Sequence, residues 1–451
     1  MYFLYSLGFF LWILLNLPVF IFQALVHKKY IRSLRQRLGH LPPELAHDGR
    51  ATIWLHACSL GETLSAQPLA FLLRQRFPAA RIVLSTITLT GQTVARQRFA
   101  EYDGVFYFPF DWSPVVRRVL NHVRPALMVI LETEIWPNFL RECRARRIPV
   151  VTVNGRISAR AFRRYRLVAR FLRRVFEAYA LFIMKAEEDA ERIKTMGAPP
   201  QKVVVSGNIK FDRDVVEKEV REIQGLALDQ ALGLTAAGTF LIVGGSTHAG
   251  EEQILLEVLG RVRQEPGLEK TRLLLVPRHP ERFARVAELA ERAGFRVQRR
   301  SDAQAPAEGA DVLVLDTIGE LAAAYRFATV AFVGGSLIPH GGQSILEPAL
   351  FAKPIVTGPS QESFPGIIDG FLALGAVRQI TATKPPAQVQ QLTEEFVRLL
   401  TDEPARAALG TAAFSVLQEN KGATKFTADR IAPIYEQALR AVRWQASGVR
   451  D

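Results

Sequence analysis

Short apolar runs recur along the chain, each followed by a few small polar residues and then by a longer stretch of mixed polarity. The runs are Ala51–Ala57, Arg81–Thr86, Val105–Phe108, Leu127–Leu131, Val150–Asn154, Leu181–Lys185 and Val203–Val205. Further on come Phe240–Val243, Leu273–Val276, Val312–Leu315, Val330–Val333 and a last one opening at Ile355. Runs this short and this continuously apolar predict strands buried on both faces. The stretches between them predict helices, among them one through Phe77 after Cys58–Thr63, then Thr88–Phe99 and Ser113–His122. The alternation predicts an α/β fold with a doubly covered parallel sheet, in which ligands bind at the carboxyl ends of strands.

The pattern occurs twice. It pauses after Ser206–Asp212, at a charged helical stretch from Val215 to Gln230, and restarts at Phe240. Glu62 and His248 stand in comparable loops of the two halves. We therefore expect two similar Rossmann-like domains facing a cleft, over residues 27–214 and 215–426. A helix from about Thr427 to Val442, within a 427–451 tail, is expected to pack back on the first domain.

Residues 1–26 break the pattern. No residue from Met1 to Val26 carries a charged side chain, and a span of hydrocarbon needs roughly 20 apolar residues. Lys28, Lys29, Arg32, Arg35 and Arg37 follow at once, which by the positive-inside rule places the main body in the cytoplasm. A cleaved signal peptide wants its charge before the run and a small-residue cleavage site, neither of which is present. The expectation is a membrane anchor over 1–26, with a helix lying in the interface as the alternative.

Charge extends this picture. The formal net charge is +13, which suits an anionic partner: membrane surface, phosphorylated substrate or nucleic acid. Arg156 to Arg174 concentrates eight arginines among Phe162, Tyr165, Leu167, Val168, Phe171 and Leu172. It predicts a basic amphipathic helix, either a solvated face over the core or a contact for anionic lipid or acceptor phosphate through Arg163, Arg164, Arg166 and Arg170. The two cysteines, Cys58 and Cys143, form no zinc pattern or disulfide framework, as in a reducing compartment.

Candidate chemistry gathers at strand ends. In Thr329–Pro359 a strand ends in Gly334-Gly335-Ser336, and Gly341-Gly342 leads to a helix expected near Ser344. Glycines let a ligand approach the backbone, and a helix start favours an anion. Glu347, one turn in, suits ribose hydroxyls. Ser59 and Glu62 fit S-x-x-E, a spacing equally suited to a helix cap and to a carboxylate base. No H-E-x-x-H and no D-x-D at a strand end appears, so no metal cofactor is expected.

Eight stretches in order resemble one family. They are Ser59–Glu62 (SLGE), Glu132–Asn138 (ETEIWPN), Asn154–Ser158 (NGRIS), Gly207–Asp212 (GNIKFD), Gly244–Glu252 (GGSTHAGEE), Val276–Phe283 (VPRHPERF), Asp316–Leu321 (DTIGEL), and Gly334–Leu337 with Leu346–Ala349 (GGSL, LEPA). The chain resembles the 3-deoxy-D-manno-octulosonic acid (Kdo) transferases of lipopolysaccharide synthesis over nearly its whole length. The resemblance implies a GT-B fold and inverting transfer of Kdo from CMP-Kdo to a lipid A precursor, lipid IVA, at the cytoplasmic side of the bacterial inner membrane. It implies Glu62 as general base, by the opposite-face logic of inverting hydrolysis, in a position near a helix N-terminus that should keep it ionised. Glu132 and Lys210 correspond to transition-state stabilisers. Pro277, Arg278, Thr317, Ile318, Gly319, Ser344, Ile345, Leu346 and Glu347 correspond to CMP contacts, with Ser246, Thr247 and His248 lining the donor cleft. Gln343-Ser344 departs from the His-Asn usual at that place. Rival readings are another nucleotide-sugar GT-B glycosyltransferase or epimerase, and a non-enzymatic basic membrane-bound protein. No nucleic-acid partner is expected, since the aromatic–basic motif of RNA-binding sheets is missing.

Overall fold

The computed structural model describes residues 2–11, 15–16, 31–216, 218–236, 238–303, 309–363 and 366–446. The chain forms two compact units: residues 1–216 with 421–451, and 217–420 between them.

The first unit holds a seven-stranded sheet in the order β3-β2-β1-β4-β5-β6-β7. Its strands are β1 (Thr52–His56), β2 (Arg81–Thr86), β3 (Val105–Tyr107), β4 (Pro125–Leu131), β5 (Val150–Gly155), β6 (Tyr179–Met184) and β7 (Val203–Val205), and every pairing is parallel. The central β1 and β4 are buried throughout. Successive side chains alternate between two cores, because a strand sends neighbours to opposite faces. Trp54, Met128 and Ile130 join Phe106, Phe108 and Phe139 on one face, while Ile53, Leu55, Leu127 and Val129 pack with Leu69, Ile431 and Tyr435 on the other. Ile431 and Tyr435 belong to the C-terminal helix Ala423–Ala446, which starts earlier and ends later than its pattern suggested. Its first turn is held by Asp212, whose carboxylate accepts from the Gly422 and Thr424 N–H groups at 2.7 and 2.6 Å.

The second unit holds another parallel seven-stranded sheet, β10-β11-β9-β8-β12-β13-β14. Its strands are β8 (Leu241–Thr247), β9 (Arg272–Pro277), β10 (Val297–Arg299), β11 (Val312–Val314), β12 (Val330–Val333), β13 (Ile355–Thr357) and β14 (Arg378–Gln379). β10 and β14 were not expected from the sequence; they are short edge strands without an apolar run. β8 runs past Val243 because Gly244 and Gly245 pair with Phe332 and Val333.

Three expectations change. The arginine-rich stretch is two helices, Ala159–Arg166 and Ala169–Phe176. The second buries Phe171, Leu172, Val175 and Phe176, while the first buries no side chain, so packing rather than propensity sets the break. Leu167 at the break is 86% exposed. The helix expected near Ser344 is only Leu346–Leu350.

The third concerns the anchor. Residues 2–11 and 15–16 are helical, and part of this segment packs on the first unit. The Tyr5 hydroxyl donates to Asp111, Asn138 Nδ2 donates to Ser6 Oγ at 3.0 Å, and the Tyr2 ring lies 5.2 Å from that of Phe171. Phe3, Leu4, Leu7, Phe10 and Leu11 remain exposed. Among the described residues no helix is long and apolar enough to cross a membrane. Much of the expected span, 12–14 and 17–26, lies outside the described residues.

Candidate active site

In the first unit the candidate residues follow the carboxyl ends of neighbouring strands. Glu62 lies in the first turn of the helix Leu60–Arg76, which follows β1 and is capped by Ser59. Its carboxylate accepts from the Cys58 N–H and the Ser59 hydroxyl, both at 2.7 Å. Glu62 is nevertheless 8% exposed, and burial, assisted by the charge of Glu132, pushes its carboxyl up to about 7. The expectation that a helix N-terminus would keep it fully ionised is therefore corrected: desolvation outweighs the dipole and the two hydrogen bonds.

Glu132 is the first residue past β4 and has φ +58°, in the left-handed region that non-glycine residues seldom occupy. Its carboxylate meets Lys210 Nζ at 3.0 Å. Lys210 is held there by its loop, where Asn154 Oδ1 accepts the Ile209 N–H at 3.2 Å and Asn208 Oδ1 accepts the Lys210 N–H at 3.1 Å. Asn154 itself has φ +56°, so the ends of β4 and β5 both carry strained backbone. Burial and the charge of Glu132 also raise Glu134. A cavity of about 250 Å³ opens beside these groups, lined by Glu132, Thr133, Glu134, Arg156, Ser158 and Tyr165. Arg163, Arg164, Arg166 and Arg170 are exposed in the two helices that follow.

In the second unit the residues expected to hold the donor lie at the ends of β11, β9, β8 and β12, four consecutive strands of the sheet. The glycine-rich loop after β12 is not an empty anion cradle. The carboxylate of Glu251, fully buried, accepts from the N–H groups of His248, Gly335, Ser336 and Leu337 at 2.7–2.9 Å. Gly334 serves close packing, since a Cβ there would lie 2.6 Å from the Ser246 carbonyl oxygen. Sequence reasoning missed Glu251, although its adjacency to a glycine loop after a parallel strand was readable.

Beside this clamp stands a group of imidazoles. The His248 ring lies 4.0 Å from that of His340 and 5.3 Å from that of His279. Burial, with the neighbouring imidazoles and arginines, lowers His248 to about 4, so it is neutral near pH 7. Gln343 Nε2 lies 3.4 Å from His248 Nε2. Arg278 is exposed; its N–H donates to the Thr247 carbonyl at 2.9 Å, and among the described residues no carboxylate pairs with its guanidinium. Thr247 is buried with its hydroxyl unpaired, and Ser246 has φ +54°. Pro277 is buried at the end of β9. After β11, Thr317 donates to Glu320, Gly319 has φ +96° and Ile318 is 81% exposed. Ser344 and Ile345 precede the short helix, and Leu346 and Glu347 begin it. Among the described residues no three His, Cys, Asp or Glu side chains are arranged to hold a metal ion.

Comparison with known proteins places this geometry in a family. Residues 32–213 match the family model described as 3-deoxy-D-manno-octulosonic-acid transferase (kdotransferase). A 3-deoxy-D-manno-octulosonic acid transferase of Haemophilus influenzae is 34% identical over 386 residues, 85% of this chain and 87% of that protein. One of Bordetella pertussis is 31% identical over 388 residues, 84% and 87%. Among solved structures, the UDP-GlcNAc 2-epimerase from Neisseria meningitidis bound to UDP-GlcNAc superposes with a TM-score of 0.54 at 12% identity, over 85% of this chain and 100% of that one, a likeness of fold alone. The chain belongs to the 3-deoxy-D-manno-octulosonic acid transferase family.

Proposed function

We infer that this protein is a glycosyltransferase that moves Kdo from CMP-Kdo to a hydroxyl of a lipid A precursor, lipid IVA, in lipopolysaccharide synthesis, and that its two parallel-sheet units are those of a GT-B enzyme. The observation that carries the reading is Glu62, a buried carboxylate tuned to about 7 beside the Glu132–Lys210 ion pair in a chain of this family. A general base works best when its pKa lies near the operating pH.

The acceptor oxygen attacks the anomeric carbon of Kdo while Glu62 takes the hydroxyl proton. The bond from that carbon to the phosphate oxygen breaks, and its electron pair leaves with CMP. Inversion follows from attack opposite the leaving group. Glu132 and Lys210 stabilise the charge that develops around the sugar, with the Lys210 ammonium also suited to the departing phosphate or the Kdo carboxylate. Arg278 offers a fork for the CMP phosphate, and Pro277, Thr317–Gly319 and Ser344–Glu347 frame the nucleotide, with Ser246, Thr247 and His248 beside it. These cations carry the leaving-group charge without a metal cofactor, so transfer should survive EDTA.

The protein acts on the cytoplasmic side of the inner membrane in this reading. The apolar N-terminal segment and the exposed Arg163, Arg164, Arg166 and Arg170 around Leu167 support contact with an anionic bilayer, each basic residue contributing about 1 kcal/mol. Mass spectrometry of the product from CMP-Kdo and a tetra-acylated, phosphorylated acceptor tests the assignment; it should show a mass gain of one or more Kdo residues. The fold it shares with a nucleotide-sugar epimerase keeps one rival reading, which would be favoured if UDP rather than CMP protected the protein against thermal unfolding.

A further inference from the structure

Parallel strands β4, β5 and β6 lie side by side, and each hands over a charged residue immediately past its last position: Glu132, Arg156 and Lys185. Backbone bonds fix this row. The Arg156 N–H donates to Thr133 Oγ1 at 2.9 Å, and the Lys185 N–H donates to the Gly155 carbonyl at 2.9 Å. Lys210, from the loop after β7, reaches into the same row. Lys210 is paired with Glu132, and Asp189 spends its carboxylate on the Ile157 N–H at 2.7 Å. Lys185 and Arg156 keep no such partner: among the described residues neither side chain makes a hydrogen bond or ion pair. Lys185 is half-buried, and burial together with the charge of Arg156 holds its ammonium below the usual lysine range. The first unit thus carries two unspent cations, Arg156 lining the cavity and Lys185 close enough to Arg156 to feel its charge, one a fork and one a point charge, the pairing that suits a phosphate monoester.

We propose that Lys185 and Arg156 form an anion subsite that holds a phosphate of the acceptor and fixes which hydroxyl is presented to Glu62. The proposal rests on the transferase reading above and adds to it a substrate contact outside the residues assigned from the family. Lys185 is a binding residue in this account; it takes no proton in the reaction.

The test compares full-length parent, Lys185→Met and Lys185→Arg with CMP-Kdo and two acceptors, one phosphorylated and one enzymatically stripped of its phosphates. Lys185→Met should raise KM for the phosphorylated acceptor about tenfold or more, the effect of losing one charge-assisted contact. Its kcat and its KM for CMP-Kdo should move less than threefold, and Lys185→Arg should recover most of the loss. With the stripped acceptor, parent and Lys185→Met should have the same KM. An equal rise with both acceptors would make Lys185 a packing residue, and a rise confined to CMP-Kdo would make the donor phosphate its ligand; either overturns the proposal. Glucosamine 1-phosphate gives an arm that needs no turnover: it should protect the parent against thermal unfolding, while Lys185→Met gains nothing and glucosamine protects neither. A parent that shows this protection but makes no Kdo product keeps the subsite and overturns the transferase reading. A parent that makes product, with acceptor KM and protection both indifferent to Lys185→Met, does the reverse.

Discussion

A carboxyl group caught between a helix cap and its own burial sets the expected pH dependence of transfer. Glu62 sits on two hydrogen bonds that favour its charge and in a burial that opposes it, and burial prevails, holding it near 7. kcat/KM should therefore rise about tenfold per unit as pH climbs toward 7 and then level off, which a pH–rate profile of the full-length enzyme in detergent would check. The stability consequence has the opposite sense. A carboxyl raised above its usual 4.5 favours the fold fully below that pH, and this contribution is lost as pH rises through about 7. Glu62→Gln should lower kcat by about 10²–10⁴-fold and leave CMP affinity near that of the parent; activity within threefold would remove Glu62 as the base. Arg278→Ala should raise KM for CMP-Kdo about tenfold or more with little change for the acceptor, and an unchanged donor KM would take Arg278 out of the site.

Elements show why some of this was legible and some not. β4 could be read from Leu127–Leu131 because a strand covered on both faces has no polar side to hide its run, and its end then marked Glu132. The S-x-x-E spacing of Ser59 and Glu62 suggested a cap or a base; in the structure Ser59 Oγ accepts the Glu62 N–H as a cap does, while the Glu62 carboxylate accepts the Cys58 N–H and the Ser59 hydroxyl, so the alternatives do not exclude one another. What the pattern could not give was depth. Thr247 and Ser336 read as polar loop residues and Glu251 as a polar residue of the helix after β8, yet all three are buried, because that helix start and the loop after β12 close on each other. Glycine there signalled close approach correctly but not of what: the approaching group is the chain's own carboxylate. Glu251→Ala would leave four buried N–H groups without an acceptor. The expected loss in the second unit is about 3 kcal/mol or more, read as a lowered unfolding midpoint together with weaker CMP binding. An unchanged midpoint would mean that the loop holds without its clamp. The arginine stretch failed as one helix for a related reason: charge periodicity runs through Leu167, but Phe162 and Tyr165 before it are only partly buried against the core, whereas Phe171, Leu172, Val175 and Phe176 after it are buried.

At the scale of the whole chain, both termini belong to the first unit. The N-terminal segment is more than a tether, since Tyr2, Tyr5 and Ser6 are bonded to or packed against it. Deleting residues 1–16 should leave CMP binding intact while lowering the first unit's unfolding temperature by about 2–8 °C, the effect of losing about 1–2 kcal/mol. Calorimetry of the truncated chain would settle it, and an unmoved transition would reduce those contacts to surface decoration. The C-terminal helix has a consequence for biosynthesis. Domains form as the ribosome delivers them, at about 5–20 residues per second. The second unit has all its residues once Asn420 has emerged, but the first still lacks the stretch from Lys421 onward. Until that stretch arrives Asp212 lacks the N–H groups of Gly422 and Thr424, Ala51 lacks the Tyr435 hydroxyl, and the apolar face that receives Ile431 stays open to water. The half begun first is thus the half finished last. A message cut shortly after residue 420 would yield a complete second unit tied to a first unit with a bare apolar face, a product fit for chaperones and proteases rather than for partial activity.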